Sequence, residues 1–247
     1  MAPPAVVLTG RGRRRRCGRR QHRTTVWTLS TCGAGSRRPT SGGALERATY
    51  HHGDLRNALV AAASTAVRAA GPTGLSVREV AREVGVSPNA AYRHFAGKAE
   101  LLATVAEHAR GAMGVAMAER LAAVPASGDA VALARARLVA VGRGYVEYAV
   151  AEPGLFHVVF NGPPTTGGPP GCVGGPDPWS MLQDRLDELD AAGGLGVRGR
   201  AGADLAAWAA VHGLAELLVG VLAGLDPDER EQALVRTLAT VGAGLAG

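Results

Sequence analysis

Between Arg78 and Lys98 the chain gathers side chains that suit nucleic acid. Arg78 and Arg93 supply guanidinium groups, Asn89 an amide, Tyr92 a phenol, His94 an imidazole and Lys98 an ammonium, with Ser87 and Pro88 at the head of the set. Amide and guanidinium groups hydrogen-bond base edges, and guanidinium, ammonium and hydroxyl groups hydrogen-bond phosphates. Lys98 is the single lysine of the chain, every other basic side chain apart from histidine being arginine. Motifs of reaction chemistry do not accompany them. The chain has no Gly-x-Ser-x-Gly, no phosphate loop, no His-Glu-x-x-His and no dinucleotide fingerprint, so no catalytic residue, cofactor or metal is assigned.

Two short helices with a tight turn position this set. Ser76 and Glu79 have the spacing of a capping box. Val77, Val80, Ala81 and Val84 then share one helical face. Gly85 suits the left-handed stop that follows, and Val86 plugs the turn. Ser87 caps the next helix and Pro88 fits its first turn; this helix is expected to reach about Phe95, with Gly97 ending it. Ala81 lets the helices cross closely. Helix, glycine turn and helix is the helix-turn-helix plan, whose second helix enters the major groove. An ordinary helical hairpin has the same periodicity; the caps, the turn glycine and the exposed aromatic-basic face decide for DNA.

Val86-Ser87 followed by Tyr92-Arg93-His94-Phe95-Ala96-Gly97-Lys98 resembles the signature of TetR-type (TetR/AcrR) transcriptional regulators. The resemblance implies that the helix-turn-helix is made by helices two and three of an N-terminal domain. It also implies that Lys98 opens helix four and binds a phosphate, and that Tyr92 and His94 contact the DNA backbone. Many members have Thr-Leu where this chain has Ala90-Ala91, so the threonine's phosphate contact is absent and the packing beneath the helix is smaller.

The 247 residues are rich in Ala, Gly and Arg and poor in aromatics, and no alternating runs of strand formers occur. The expected fold is all-α. An Arg/Gly-rich extension, residues 1–48, is read as disordered. Residues 50–110 are read as the helix-turn-helix DNA-binding domain, and 111–247 as a helical regulatory and dimerisation domain. Residues 1–49 hold eleven Arg and one Glu, so this segment carries +10 and the remainder −4 of the net +6. Two readings of the extension stand: a basic arm adding salt-sensitive DNA affinity, or an over-long gene start. Cys17, Cys32 and Cys172 form no Cys-x-x-Cys pair, which fits neither a zinc site nor a disulfide framework and points to a reduced, cytoplasmic setting. His51, His52 and Asp54 have no further ligand nearby and are read as the entry to the first helix, with Asp54 its cap and Arg56 placed to touch a phosphate.

The rest of the chain reads as helices at Lys98–Val124, Asp129–Ala151, Pro178–Ala191, Leu205–Leu225 and Pro227–Ala246, with a short apolar piece at Leu155–Phe160 and a mobile Gly/Pro loop at Asn161–Pro178. Leu205–Leu225 is long enough for a bilayer, but Glu216 at its middle, His212 and three glycines make it a buried helix. Its two apolar stripes and a row of Gly213, Leu217, Gly220 and Gly224 suit a helix packed both on its own domain and on a second subunit. The two C-terminal helices are therefore expected to pair in a homodimer as a four-helix bundle, as the family resemblance also implies. Trp208-Ala-Ala-Val-His212-Gly213 resembles the Trp-x-x-x-His-Gly motif of one C-terminal domain type in that family. Tyr145, Phe156, Phe160, Trp179, Trp208 and His212 are the candidate pocket for a small apolar effector, His212 being equally readable as a satisfied core histidine.

The leading expectation is a ligand-responsive homodimeric repressor on a palindromic double-stranded operator, with Arg78, Ser87, Pro88, Asn89, Tyr92, Arg93, His94 and Lys98 at the DNA. The second is a sequence-neutral architectural DNA-binding protein driven by the arginine arm. No membrane partner is expected of either.

Overall fold

A computed structural model describes residues 52–162, 173–197 and 199–247; the extension 1–48 and most of the Gly/Pro loop lie outside them. Among the described residues all regular structure is helical. The helices are α1 (His52–Ala70), α2 (Val77–Glu83), α3 (Pro88–Tyr92), α4 (Lys98–Ala122), α5 (Ala130–Ala151), α6 (Pro153–Asn161), α7 (Pro178–Ala191), α8 (Ala203–Val219) and α9 (Pro227–Ala246).

Caps and breakers set most of these boundaries. Asp129, Asp177 and Asp226 each accept a hydrogen bond from a backbone N–H of the following first turn. In α9 the box is complete, since Glu229 also accepts from the Asp226 N–H. Proline stands in the first turn of α3, α6, α7 and α9, where its missing N–H leaves no bond unmade. Helix α1 begins at His52, so Asp54 lies inside the helix rather than before it. Helix α8 is shorter than its apolar run: Gly220 leaves the helical region at φ −110°, ψ −109°, and the chain turns before Val221.

A first core gathers Leu59, Ala63, Val67, Val80, Ala81 and Phe95 under α1 to α3, closed by Leu101 and Val105 at the start of α4. A second lies among α4, α5, α8 and α9 around Met113, Met117, Val141, Leu214 and Leu234, and a smaller third joins α5 and α7 through Leu138, Leu186 and Leu189. Helix α6 serves two of them. Leu155, Val158 and Val159 enter the first core, whereas Phe156 enters the second. The α1–α6 crossing is tight, because a Cβ on Gly154 would lie 2.6 Å from the Val67 carbonyl oxygen. Arg68 and Glu152 pair at 2.7 Å across the same junction.

Candidate nucleic-acid interface and ligand cavity

The turn between α2 and α3 is built as the residue types suggest. Gly85 has φ +79°, a conformation that disfavours any side chain with a Cβ. The Val86 N–H donates to the Ala81 carbonyl at 2.9 Å, and Ala81 is fully buried where the helices cross. Ser87 is extended and its Oγ accepts from the Ala90 N–H at 3.3 Å. Ser76 behaves differently. It is extended, but its side chain makes no capping bond, and α2 starts instead on the Ser76 carbonyl, which accepts from the Val80 N–H at 3.0 Å.

Helix α3 also ends earlier than Phe95. After Tyr92 the turn tightens, with the N–H groups of His94 and Phe95 both donating to the Ala91 carbonyl. Ala90, Ala91 and Phe95 face inward, whereas Ser87, Pro88, Asn89, Tyr92 and Arg93 are exposed and His94 is half-buried. Arg78 is exposed on α2. Among the described residues no carboxylate comes within ion-pair distance of Arg78 or Arg93. Lys98 is exposed and its Nζ donates to the Thr73 carbonyl at 2.8 Å, tying the start of α4 to the α1–α2 loop. Glu100 accepts from the Ala96 N–H at 2.6 Å and closes that helix end. Arg56 turns inward instead of toward a phosphate: its guanidinium lies 4.8 Å from the Phe95 ring centroid and donates to Thr104 at 3.3 Å. The surface left open is a row of amide, phenol and guanidinium groups on a rigid short helix, which suits hydrogen bonding to base edges and phosphates.

The second feature is a cavity of about 400 Å³ among α4, α5, α6, α7, α8 and α9. Four of the six residues proposed from the sequence line it: Tyr145, Phe160, Trp179 and Trp208. Phe156 and His212 do not. Phe156 is fully buried in the second core and packs edge-on to Tyr145, with ring centroids 5.9 Å apart. His212 lies behind Tyr145, whose hydroxyl is 2.8 Å from its Nδ1. Burial lowers the His212 pKa, opposed by Glu216 at 3.8 Å. Burial raises the Tyr145 pKa, against which the Trp208 hydrogen bond and the Arg110 charge act. These partners lie far apart in sequence, and only the fold joins them.

Arg110 and Arg135 also line the cavity, and motif reading missed both. The available signal was positional: Arg135 lies on the same α5 face as Leu138, Gly142 and Tyr145, where an apolar residue is expected. The described end of the Gly/Pro loop is seated rather than loose. The Val173 N–H donates to the Glu107 carbonyl at 3.2 Å, and any Cβ on Gly111 or Gly114 would overlap the carbonyl oxygens of Val173 and Pro176.

A helix-turn-helix head joined by one long helix to a helical body with a cavity is the build of a DNA-binding transcription regulator. Comparison with known proteins agrees with the build. The sequence model of the bacterial regulatory proteins of the tetR family matches residues 59–105, and that of the tetracyclin repressor-like C-terminal domain matches residues 138–241. The chain belongs to the TetR family. No curated protein matches it. Among solved structures, a protein of unknown function from Rhodococcus sp. RHA1 is 28% identical, with a TM-score of 0.62 over 81% of this chain and 100% of its own. A TetR variant (Q116A) from Acinetobacter baumannii AYE in complex with minocycline is 20% identical, with a TM-score of 0.52 over 75% of this chain and 93% of its own. The Streptomyces coelicolor TetR regulator SCO7222 is 22% identical, with a TM-score of 0.50 over 77% and 97% of the two chains.

Proposed function

We propose that the protein is a homodimeric, ligand-responsive repressor that sets Ser87 to Arg93 in the major groove of each half of a palindromic operator. Tyr92, His94 and Lys98 hold the backbone, Asn89 and Arg93 read or clamp the groove, and Arg78 meets a flanking phosphate. The observation that carries the ligand response is α6. Its Phe160 lines the cavity, while Leu155, Val158 and Val159 of the same helix are buried in the core beneath α2 and α3. A molecule entering the cavity presses on a helix that shares side chains with the head. It switches the protein only by binding the DNA-incompetent arrangement better. The minocycline complex of a neighbour with this fold supports a small-molecule ligand.

The dimer reading rests on α8. Leu205, Ala209, Gly213 and Leu217 follow one another on α8 at four-residue spacing, and all but the half-buried Gly213 are exposed. A Cβ on Gly213 would meet nothing within 4 Å, which leaves room for close approach of a second copy. Val235 is exposed on α9. Such an apolar row is covered when two copies pair. No helix among the described residues is long and apolar enough to cross a membrane, and the reading places the protein with the DNA in the cytoplasm.

The test is selection of genomic fragments by residues 45–247 and by the full chain, across a salt series. A palindromic site retained by both at physiological salt supports the repressor. Binding only by the full chain, without sequence preference and lost as salt rises, overturns it in favour of architectural binding through the arginine arm.

A further inference from the structure

Arg135 lacks the acidic partner that most arginines of the body have, and it lines the cavity. Arg120, Arg137, Arg143, Arg185 and Arg200 each have a carboxylate within ion-pair distance. Arg135 has none among the described residues. Its Nη2 donates to the Gly194 carbonyl at 3.3 Å, and its Nε is buried with no hydrogen-bond partner among them. The side chain nevertheless lines a cavity whose wall is otherwise mostly apolar. A half-buried guanidinium on a cavity wall, with no carboxylate to oppose its charge, favours an anion in that cavity.

The opposite end of the cavity is different. Tyr145, ten residues along α5, has its hydroxyl committed to Trp208 and His212. Arg110 on α4 also has an Nε buried without a hydrogen-bond partner among the described residues, but its charge is already opposed by Asp177 at 3.8 Å. That end therefore offers no unpaired charge. From Arg135 to Tyr145 the helix advances about 15 Å, lined between them by Leu138, Val141 and Gly142. An extended alkyl chain with bonds of about 1.52 Å advances roughly 1.3 Å per carbon, so about twelve carbons span this distance.

We propose that the effector is an elongated amphipathic anion, a carboxylate on an alkyl body of about twelve carbons, with its acid group on Arg135 and its tail toward Tyr145 and Phe160. This rests on reading the cavity as the effector site, and it changes the effector from simply apolar to apolar with one charged end. The second guanidinium does not call for a second acid, because Asp177 already faces it.

The experiment is calorimetric titration of the full chain with saturated carboxylates of six to sixteen carbons and with the matching primary alcohols, on the wild type and on Arg135→Met and Arg135→Lys. The expected result is a best length of about twelve carbons and an acid that binds roughly tenfold or more tighter than its alcohol. The two affinities should converge in Arg135→Met and stay apart, by less, in Arg135→Lys. Equal affinity for acid and alcohol in the wild type overturns the proposal whatever the variants do. So does an acid preference that survives in a folded Arg135→Met, or no binding across the series. The readout needs no DNA, so it separates from the function above. A palindromic operator without acid preference sinks this inference alone, and acid preference without an operator sinks the repressor alone.

Discussion

The head and the body treat space and charge in opposite ways. In the head, the core under α2 and α3 is closed by small residues: Ala81 and Ala91 are fully buried beside Phe95. Its outward cations Arg78 and Arg93 are left without carboxylates among the described residues. In the body, side chains line a cavity of about 400 Å³, and six arginines lie within ion-pair distance of neighbouring acids. The contrast is that of a surface awaiting a polyanion and an interior awaiting a small molecule. It also teaches why a net charge misleads here: position and pairing of the arginines matter more than their number.

The largest expected effect breaks the head. Phe95→Ala removes a buried ring on which Arg56 stacks, and urea denaturation at fixed protein concentration should show a loss of about 3–5 kcal/mol. A loss below about 1 kcal/mol would mean that this core is not packed as described. A pair of enlargements then sharpens the difference in packing. Ala91→Leu should destabilise by about 1–3 kcal/mol, whereas Leu182→Phe, at the cavity wall, should leave stability unchanged or raise it by up to about 1 kcal/mol. Equal losses from both would erase the contrast in packing.

The charges are tested next, on DNA. Replacing Arg93 by Ala should weaken binding to every sequence and lower the salt slope by about 1, while Asn89→Ala should relax preference at one base position by about 1–3 kcal/mol. Uniform loss on all sequences for the Asn89 variant would move that residue from base to backbone. The smallest effect concerns acid. The His212 pKa is lowered by burial, so the stability it contributes is present above its ordinary value of 6.5 and lost as pH falls through the folded value. The Arg143 guanidinium lowers the Glu231 pKa, with the same sign at lower pH, present above the ordinary 4.5 and lost below it. Both groups are partly exposed, so each should contribute under about 1 kcal/mol. His212→Gln should flatten the urea midpoint between about pH 7 and 5.5; an unchanged slope would assign the sensitivity elsewhere.

The helix-turn-helix was legible because its determinants are local. Gly85, Val86, Ser87 and Pro88 act on their immediate neighbours, and a reader of residues sees them together. Ser76 shows the limit of that method: its type and spacing suit a cap, yet its hydroxyl makes no capping bond. The aromatic members of the cavity were half legible. Phe160 and Phe156 lie on one short helix, but which of the two meets the cavity depends on how α6 rotates between two cores. Arg135 was legible only as a break in the α5 stripe, since an arginine on an apolar stripe takes its meaning from what fails to face it. The Tyr145–His212 pair spans 67 positions, a distance that periodicity does not bridge.

Lys98, anchored to the Thr73 carbonyl and exposed at the start of α4, has a consequence outside recognition itself. As the single lysine, it makes the chain's only ε-amine a built-in reporter. An amine-reactive dye, or an acetylating agent, marks the side-chain amine of this protein at one address beside the proposed groove. Protection of that address by bound DNA, read by mass spectrometry, follows occupancy of the operator without any engineered label.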